Sequence, residues 1–216
     1  MKHIAKNPEP PAFCNWKAHW PNFVPGWMEF DSGTKHEDGT SIKHKVKTAL
    51  LHEQGGLCCF CEDRVDMNHG HIAHILDRKN HSDKALEYDN MLYSCPENLR
   101  NKPQTCGHAQ GTQILPISPL DTNCEQKFAY TSTGSIIPRN ADDHKAFDTI
   151  RILNLDDKNS LLPKKRAMIF QTVEDERQKY SSTEFKIWID RELERQSDGM
   201  FKTFWTVKKY AAGLYE

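Results

Sequence analysis

The sequence predicts an α+β fold in which a central segment of short strands and loops is flanked by helices. Apolar residues recur at helical spacing after Asp142, whereas the segment from about 57 to 140 is dense in Cys, His, Asn, Gly and Pro. Three regions follow: an N-terminal wrap and helix (1–56), a central core (57–140), and a C-terminal helical region that we expect to dock a partner (141–216).

The N-terminal region combines an irregular part with one helix. Residues 1–40 are rich in proline and tryptophan and have little periodicity, which predicts an ordered, irregular wrap used for packing. A helix is predicted from Ser41, a good N-cap, to the stop at Gly55-Gly56. It has a basic face, which usually means a solvated surface and less often a phosphate contact; its residues are Lys43, Lys45 and Lys47.

The C-terminal region predicts four helices. Apolar spacing places them over 142–153, over 160–179, after a capping box of Ser181 and Glu184, and over 200–210. Their apolar and aromatic stripes predict core or a partner-binding face, and imply no cofactor.

Charge and composition limit the classes of function. Lysine and arginine (29) nearly balance aspartate and glutamate (30), so a nucleic acid would be held by a local patch or by a partner. No apolar run suits a signal peptide or a membrane span, which predicts a soluble, cytoplasmic protein without membrane contact. Seven cysteines in such a chain favour metal ligands and free thiols over disulfides.

Four cysteines have the spacing of a zinc site. Cys58 and Cys61 are separated by two residues, so one tight turn can bring both sulfurs to about 2.3 Å from a tetrahedral ion. A redox dithiol is the alternative for one such pair, and a second pair, Cys95 and Cys106, favours structural zinc. The other cysteines are expected to be small buried residues or inert thiols: Cys14, Cys59 and Cys124.

A second set of residues is interleaved with these cysteines. His74 lies in the stretch HIAHI, Asn90 precedes Cys95, and His108 follows Cys106. A histidine, an asparagine and a histidine in this order, alternating with zinc ligands, resemble the HNH, or ββα-metal, nuclease motif.

The resemblance extends over about the first 155 residues. The chain is similar to the Septu- and retron-associated HNH endonucleases of the PtuB family at Met1–Ile4, Pro8–Pro10, Trp16–Lys17, Cys58–Cys61, Cys106–Ala109, Ile117–Asp121 and Phe128–Gly134. This implies an antiphage defence nuclease that acts on DNA or RNA together with a PtuA-type ATPase. In some systems a retron reverse transcriptase and its RNA–DNA product accompany it.

The motif assigns a role to each residue. An imidazole that titrates near neutral pH can take a proton from water, which makes His74 the candidate general base. Asn90 would orient this base or pin its loop. The resemblance implies a catalytic Mg²⁺ or Mn²⁺ bound by His108 and by an acidic residue immediately before the base, while the four-cysteine zinc is structural.

Ala73 departs from that pattern, because its methyl group cannot bind a metal. His71 shares its strand face but lies about 6.5–7 Å away, so it is not expected to replace the missing ligand without a register change or bulge. Two interpretations remain open: an engineered, inactivating substitution, or a natural alanine beside which water or substrate supplies the oxygen. A catalytically inactive, zinc-binding adaptor subunit of the ATPase complex is the alternative function.

Overall fold

The computed structural model describes residues 1–20, 23–33, 35, 38–96 and 103–214. Helices and small sheets are mixed in it, which confirms the predicted α+β class. The helices are α1 Pro11–Ala18, α2 Trp27–Asp31, α3 Ile42–Glu53, α4 Cys106–Gln110, α5 His144–Ile152, α6 Leu162–Lys179, α7 Ser182–Leu193 and α8 Trp205–Ala211. The strands are β1 His71–His74, β2 Met91–Ser94, β3 Phe128–Tyr130 and β4 Ile136–Pro138, and short 3-10 turns cover Ser82–Lys84, Tyr88–Asn90 and Cys124–Lys127.

Two small antiparallel sheets are present among these strands. In the first, β1 pairs with β2 in an unbroken register that sets His71 opposite Ser94 and His74 opposite Met91. In the second, β3 pairs with β4. Helix α4 follows β2 along the chain, and its Gly107 lies against β1. The centre of the molecule is therefore a ββα unit.

Residues 1–40 contain two short helices, so the prediction of an irregular wrap was wrong for these segments. Helix α1 has Pro11 in its first turn, where the missing N–H of proline costs nothing. Phe13 and Trp16, three positions apart, share its buried face and meet Phe30 of α2 at ring-centroid distances of 5.2 and 6.0 Å. The predicted packing role of this segment is confirmed.

Helix α3 begins where the sequence predicts. The Ser41 hydroxyl accepts a hydrogen bond from the His44 amide at 3.0 Å. Its lysines are all bound within the chain: Lys43 pairs with Asp31, Lys45 pairs with Asp38, and the Lys47 ammonium donates to the Met67 carbonyl. The basic face is thus a network of local contacts, and the structure adds no support for phosphate binding there.

The predicted C-terminal helices are present with shifted ends. Helix α8 starts at Trp205, because Phe204 has a left-handed φ of 54° and the Phe201 amide donates to the Gly55 carbonyl. About half of the apolar positions predicted for these helices are buried, including Ile150, Val173 and Ile189. Phe147, Leu161 and Met168 are 58%, 49% and 70% exposed.

A buried carboxylate joins the C-terminal region to the cysteine turn. Glu62 directly follows Cys61 and accepts hydrogen bonds from the amide and the hydroxyl of Thr206 in α8. The amino group of Met1 lies 2.8 Å from the same carboxylate. Burial disfavours both charges, yet their attraction raises the pKa of the Met1 amine to about 11 and lowers that of Glu62.

One main cluster of buried apolar residues runs from Met1 to Val207 and includes residues from all three predicted regions. The division of the chain into those regions remains a prediction. Among the described residues, no helix has both the length and the apolar character needed to cross a membrane.

Candidate functional site

The four predicted zinc ligands converge. The sulfurs of Cys58, Cys61, Cys95 and Cys106 all lie within 4.8 Å of one another. Sulfurs placed tetrahedrally at about 2.3 Å from zinc are about 3.8 Å apart, so this set fits the ion. The other cysteines lie outside the cluster, with Cys59 and Cys124 buried and Cys14 exposed.

The cluster favours one thiolate among protonated thiols. Burial opposes the charge on Cys58, but hydrogen bonds from neighbouring thiols, first that of Cys106, hold the pKa of Cys58 well below the ordinary thiol value. Hydrogen bonding to Cys106 raises the pKa of Cys95, and hydrogen bonding to Cys58 raises that of Cys106. Metal binding would therefore release protons from the thiols that remain protonated.

The cluster also fixes the junction between β2 and α4. Cys95 directly follows β2, and its amide donates to the Cys58 sulfur at 3.3 Å. Cys106 is the first residue of α4 and has a φ of 60°, a strained value for a residue with a side chain. Its amide donates to the Leu153 carbonyl at 2.8 Å. These contacts set the direction in which α4 leaves the cluster.

A cleft of about 260 Å³ opens between β1 and α4, and the residues that line it include His71, Ala73, His74, Arg78, Gly107 and His108. His71 and Ala73 face α4: a methyl group added to Gly107 would lie 2.8 Å from His71 Nε2 and 3.1 Å from the Ala73 Cβ. The rings of His71 and His108 have centroids 3.9 Å apart and planes inclined by 41°. The predicted shared face of His71 and Ala73 is confirmed, with His108 directly beside it.

Hydrogen bonds define the state of these two rings. His71 Nδ1 lies 2.6 Å from the Cys95 carbonyl oxygen. A carbonyl can only accept, so Nδ1 carries the proton and Nε2 carries the lone pair. His108 Nε2 is buried and has no hydrogen-bond partner within the described part of the chain.

His74 lies on the other face of β1. Its ring meets Trp27 edge to face at 4.9 Å, and its Nε2 donates to the Ala85 carbonyl at 3.0 Å. That bond leaves Nδ1 as the nitrogen able to accept a proton. Burial disfavours the imidazolium and lowers the pKa of His74 to about 4, so the ring is neutral at pH 7. The expectation that this ring titrates near neutral pH was therefore wrong, whereas its role as general base stays a prediction.

Asn90 pins the loop between β1 and β2. Its side-chain oxygen accepts from the Leu76 amide at 2.8 Å, and its side-chain nitrogen donates to the carbonyls of Leu76 and Lys84. Lys84 precedes Ala85, whose carbonyl holds His74. Of the two roles predicted for Asn90, the geometry shows loop pinning directly and contact with the base only through the backbone.

Four further residues belong to this site and were not found from the sequence: Trp27, Arg78, Lys79 and Gln110. The Gln110 amide nitrogen in α4 donates to the carbonyl of His74 at 3.3 Å. The Arg78 guanidinium lies 4.0 Å from the Trp27 ring centroid and, with Lys79, provides positive charge in the cleft. No sequence signal links Trp27 to His74, whereas the basic pair four residues after the base could have been noted.

No model of a known protein family matches the chain. A curated protein of Vibrio cholerae serotype O1 biovar El Tor, named "Retron Vc95 putative HNH endonuclease", is 29% identical over 136 residues. The match covers 60% of this chain and 66% of that relative. It confirms the resemblance to HNH endonucleases of retron type that the residues predict.

Proposed function

We propose, from this relation to an HNH endonuclease of a retron, that the chain is a metal-dependent endonuclease subunit that hydrolyses phosphodiester bonds of nucleic acids. The observation that carries the proposal is the ββα unit. It presents His108 from α4 beside β1, with His74 at the end of that strand and the cysteine cluster holding strand and helix together.

His74, Arg78 and Lys79 have separate tasks in the proposed hydrolysis. His74, neutral at pH 7, accepts a proton at Nδ1 from the attacking water, and the resulting hydroxide adds to phosphorus. The bond to the 3′ oxygen then breaks, leaving a phosphate monoester, and the 3′ oxygen takes a proton from solvent water to become an alcohol. Arg78 and Lys79 attract the phosphate backbone. When bound, a divalent ion supplies charge stabilisation for the phosphate and the leaving oxygen.

The biological setting is part of the proposal. We expect the chain to work in the cytoplasm in antiphage defence of the Septu or retron type, with a PtuA-type ATPase and, in some systems, a retron reverse transcriptase with its RNA–DNA product. The nearly balanced charge supports a partner that helps hold the nucleic acid.

Ala73 favours the second candidate, a catalytically inactive, zinc-binding adaptor of the ATPase complex. Its methyl group faces α4 where the resemblance places a carboxylate metal ligand. A chain that serves its partner only as a scaffold has no need of that ligand.

Cleavage of plasmid DNA and of RNA by the zinc-loaded chain with its ATPase partner separates the two functions. We expect Ala73→Glu to raise cleavage in Mg²⁺ or Mn²⁺ by at least about tenfold, because it adds a carboxylate ligand at a buried site. Adding His74→Ala to that variant should abolish the gain. Equal, negligible cleavage by both variants, with zinc and fold intact, would leave only the adaptor function.

A further inference from the structure

We infer that His71 and His108 form a divalent-metal site. In it, the imidazole of His71, two residues before Ala73 on β1, supplies a ligand that Ala73 cannot supply. A role of this ion in cleavage rests on the proposed nuclease function, whereas binding of the ion by the two histidines does not.

The two rings lie near enough to share an ion after a small rotation. A metal bound by two imidazoles lies about 2.0–2.1 Å from one nitrogen of each, and so about 3.2 Å from each ring centroid. The centroids of His71 and His108 are 3.9 Å apart, nearer than the roughly 4.5 Å of two ligands at a right angle, so binding an ion would turn the rings slightly apart. His108 contributes a buried Nε2 with no hydrogen-bond partner among the described residues, and such an atom is costly unless something binds it.

His71 is prepared as a ligand through its other nitrogen. Metal-binding histidines usually donate the second ring N–H to a carbonyl, which fixes the tautomer and the ring orientation. Nδ1 of His71 does so to the carbonyl of Cys95, itself one of the four clustered cysteines. The cysteine cluster therefore sets the position of the His71 ring as well as that of α4.

The His71 ring can lie against α4 because residue 107 is glycine. A methyl group there would come within 2.8 Å of His71 Nε2, inside normal contact distance, and within 3.1 Å of the Ala73 Cβ. Gly107 and Ala73 thus allow the ring to approach α4 at the cleft that His71 and His108 both line. The regular β1–β2 register shows that His71 reaches α4 without a bulge. The His71 ring thus contacts His108 while the strand keeps its regular register, and Ala73 stays in its own place.

The ligand set predicts which ions bind. Two imidazole nitrogens without a carboxylate favour Ni²⁺, Co²⁺ or Zn²⁺ over Mg²⁺, whose preferred ligands are oxygens. Ni²⁺ is a suitable probe, since the four thiolates retain zinc.

The test is calorimetric titration of untagged, zinc-loaded protein with Ni²⁺, with zinc content measured before and after. We expect one Ni²⁺ site in the parent, and binding weakened by more than about tenfold in His71→Ala and His108→Ala. Gly107→Ala, which keeps both ligands but places a methyl group 2.8 Å from His71 Nε2 and so displaces that ring, should weaken binding to a similar extent. The exposed His69 gives the matched control, so His69→Ala should bind as the parent does.

Should His71→Ala fail to fold, His71→Gln keeps an N–H for the Cys95 carbonyl while removing the imidazole. Absence of a Ni²⁺ site in the parent, or parental affinity in folded His71 variants, would overturn the inference. Failure of the nuclease function gives a different result: Ni²⁺ bound through His71, but no cleavage by the parent or by Ala73→Glu. Cleavage by Ala73→Glu together with Ni²⁺ binding independent of His71 would support the nuclease and reject this site.

Discussion

Burial of the His74 imidazole links the stability of the protein to pH. Its pKa of about 4 in the folded chain lies below the ordinary value of 6.5, because burial beside Trp27 disfavours the charged ring. The unfolded chain therefore binds this proton more readily than the folded chain between those two values. The stabilising effect of a neutral His74 is complete above about pH 6.5 and is lost as the pH falls toward 4.

We expect His74→Gln to remove this dependence, since glutamine can still donate to the Ala85 carbonyl but does not titrate. Between about pH 7.5 and pH 5, the parent should lose about 2 kcal/mol more free energy of unfolding than the variant. Urea unfolding at both pH values, on samples with equal zinc content, measures the difference. Equal losses in the two proteins would show that His74 titrates normally in the folded chain.

At the scale of elements, the turn between β3 and β4 is packed against the first turns of α6. Gly134 has a φ of 86°, and a Cβ added there would lie 1.8 Å from the Pro163 carbonyl oxygen and 2.8 Å from the Ala167 nitrogen. Both atoms belong to the helix backbone, which cannot move without shifting α6. The glycine is therefore needed for the docking of that helix.

Gly134→Ala is expected to lower the free energy of unfolding by roughly 2–5 kcal/mol, combining overpacking with backbone strain. Gly33→Ala gives a matched control, because Gly33 has a similar φ of 85° but no atom of the described residues lies within 4 Å of the added Cβ. That variant should lose only about 1 kcal/mol. Thermal or urea unfolding compares them, and similar losses would mean that strain alone, without helix contact, sets the cost.

The same elements show what the sequence can predict. The start of α3 at Ser41 and that of α7 at Ser181 depend on local hydrogen bonds, so their cap residues could be identified directly. The cysteine cluster followed from spacing. Helices α1 and α2 were missed because their stability comes from an aromatic cluster between segments distant in sequence, and short helices have weak local signals.

The candidate site also contains residues that the sequence predicts and a contact that it does not. The order of His74, Asn90 and His108 among the cysteines predicts them as site residues, and their catalytic roles stay predictions. Loop pinning was one of the roles predicted for Asn90, and its hydrogen bonds show it. The contact of His71 with His108 was not foreseen, since it depends on how α4 lies across β1 and on the missing side chain of Gly107. Strand spacing describes the backbone and does not give how far the His71 imidazole extends towards α4.

At the scale of the whole molecule, the cysteine cluster lies where the three regions of the chain meet. Its ligands come from the turn at Cys58 and Cys61, the end of β2 and the start of α4. Glu62, next to that turn, binds both the Met1 amino group and Thr206 of α8. An ion at the cluster would therefore stabilise the N-terminal and C-terminal contacts as well as the ββα unit.

We expect Cys106→Ser to lower the zinc content from one ion per chain to near zero and to reduce stability by about 3 kcal/mol or more, because zinc that binds only the folded chain adds its binding free energy to folding. For a chain of this size that corresponds to a fall in Tm of roughly 10 °C. Cys124→Ala removes a buried thiol outside the cluster and should keep its zinc. Zinc analysis by mass spectrometry and thermal unfolding, repeated on the parent with a chelator, measure both effects. Full zinc content in Cys106→Ser would contradict the four-cysteine site. Since the Cys95 carbonyl orients His71, loss of zinc should also weaken Ni²⁺ binding at His71 and His108.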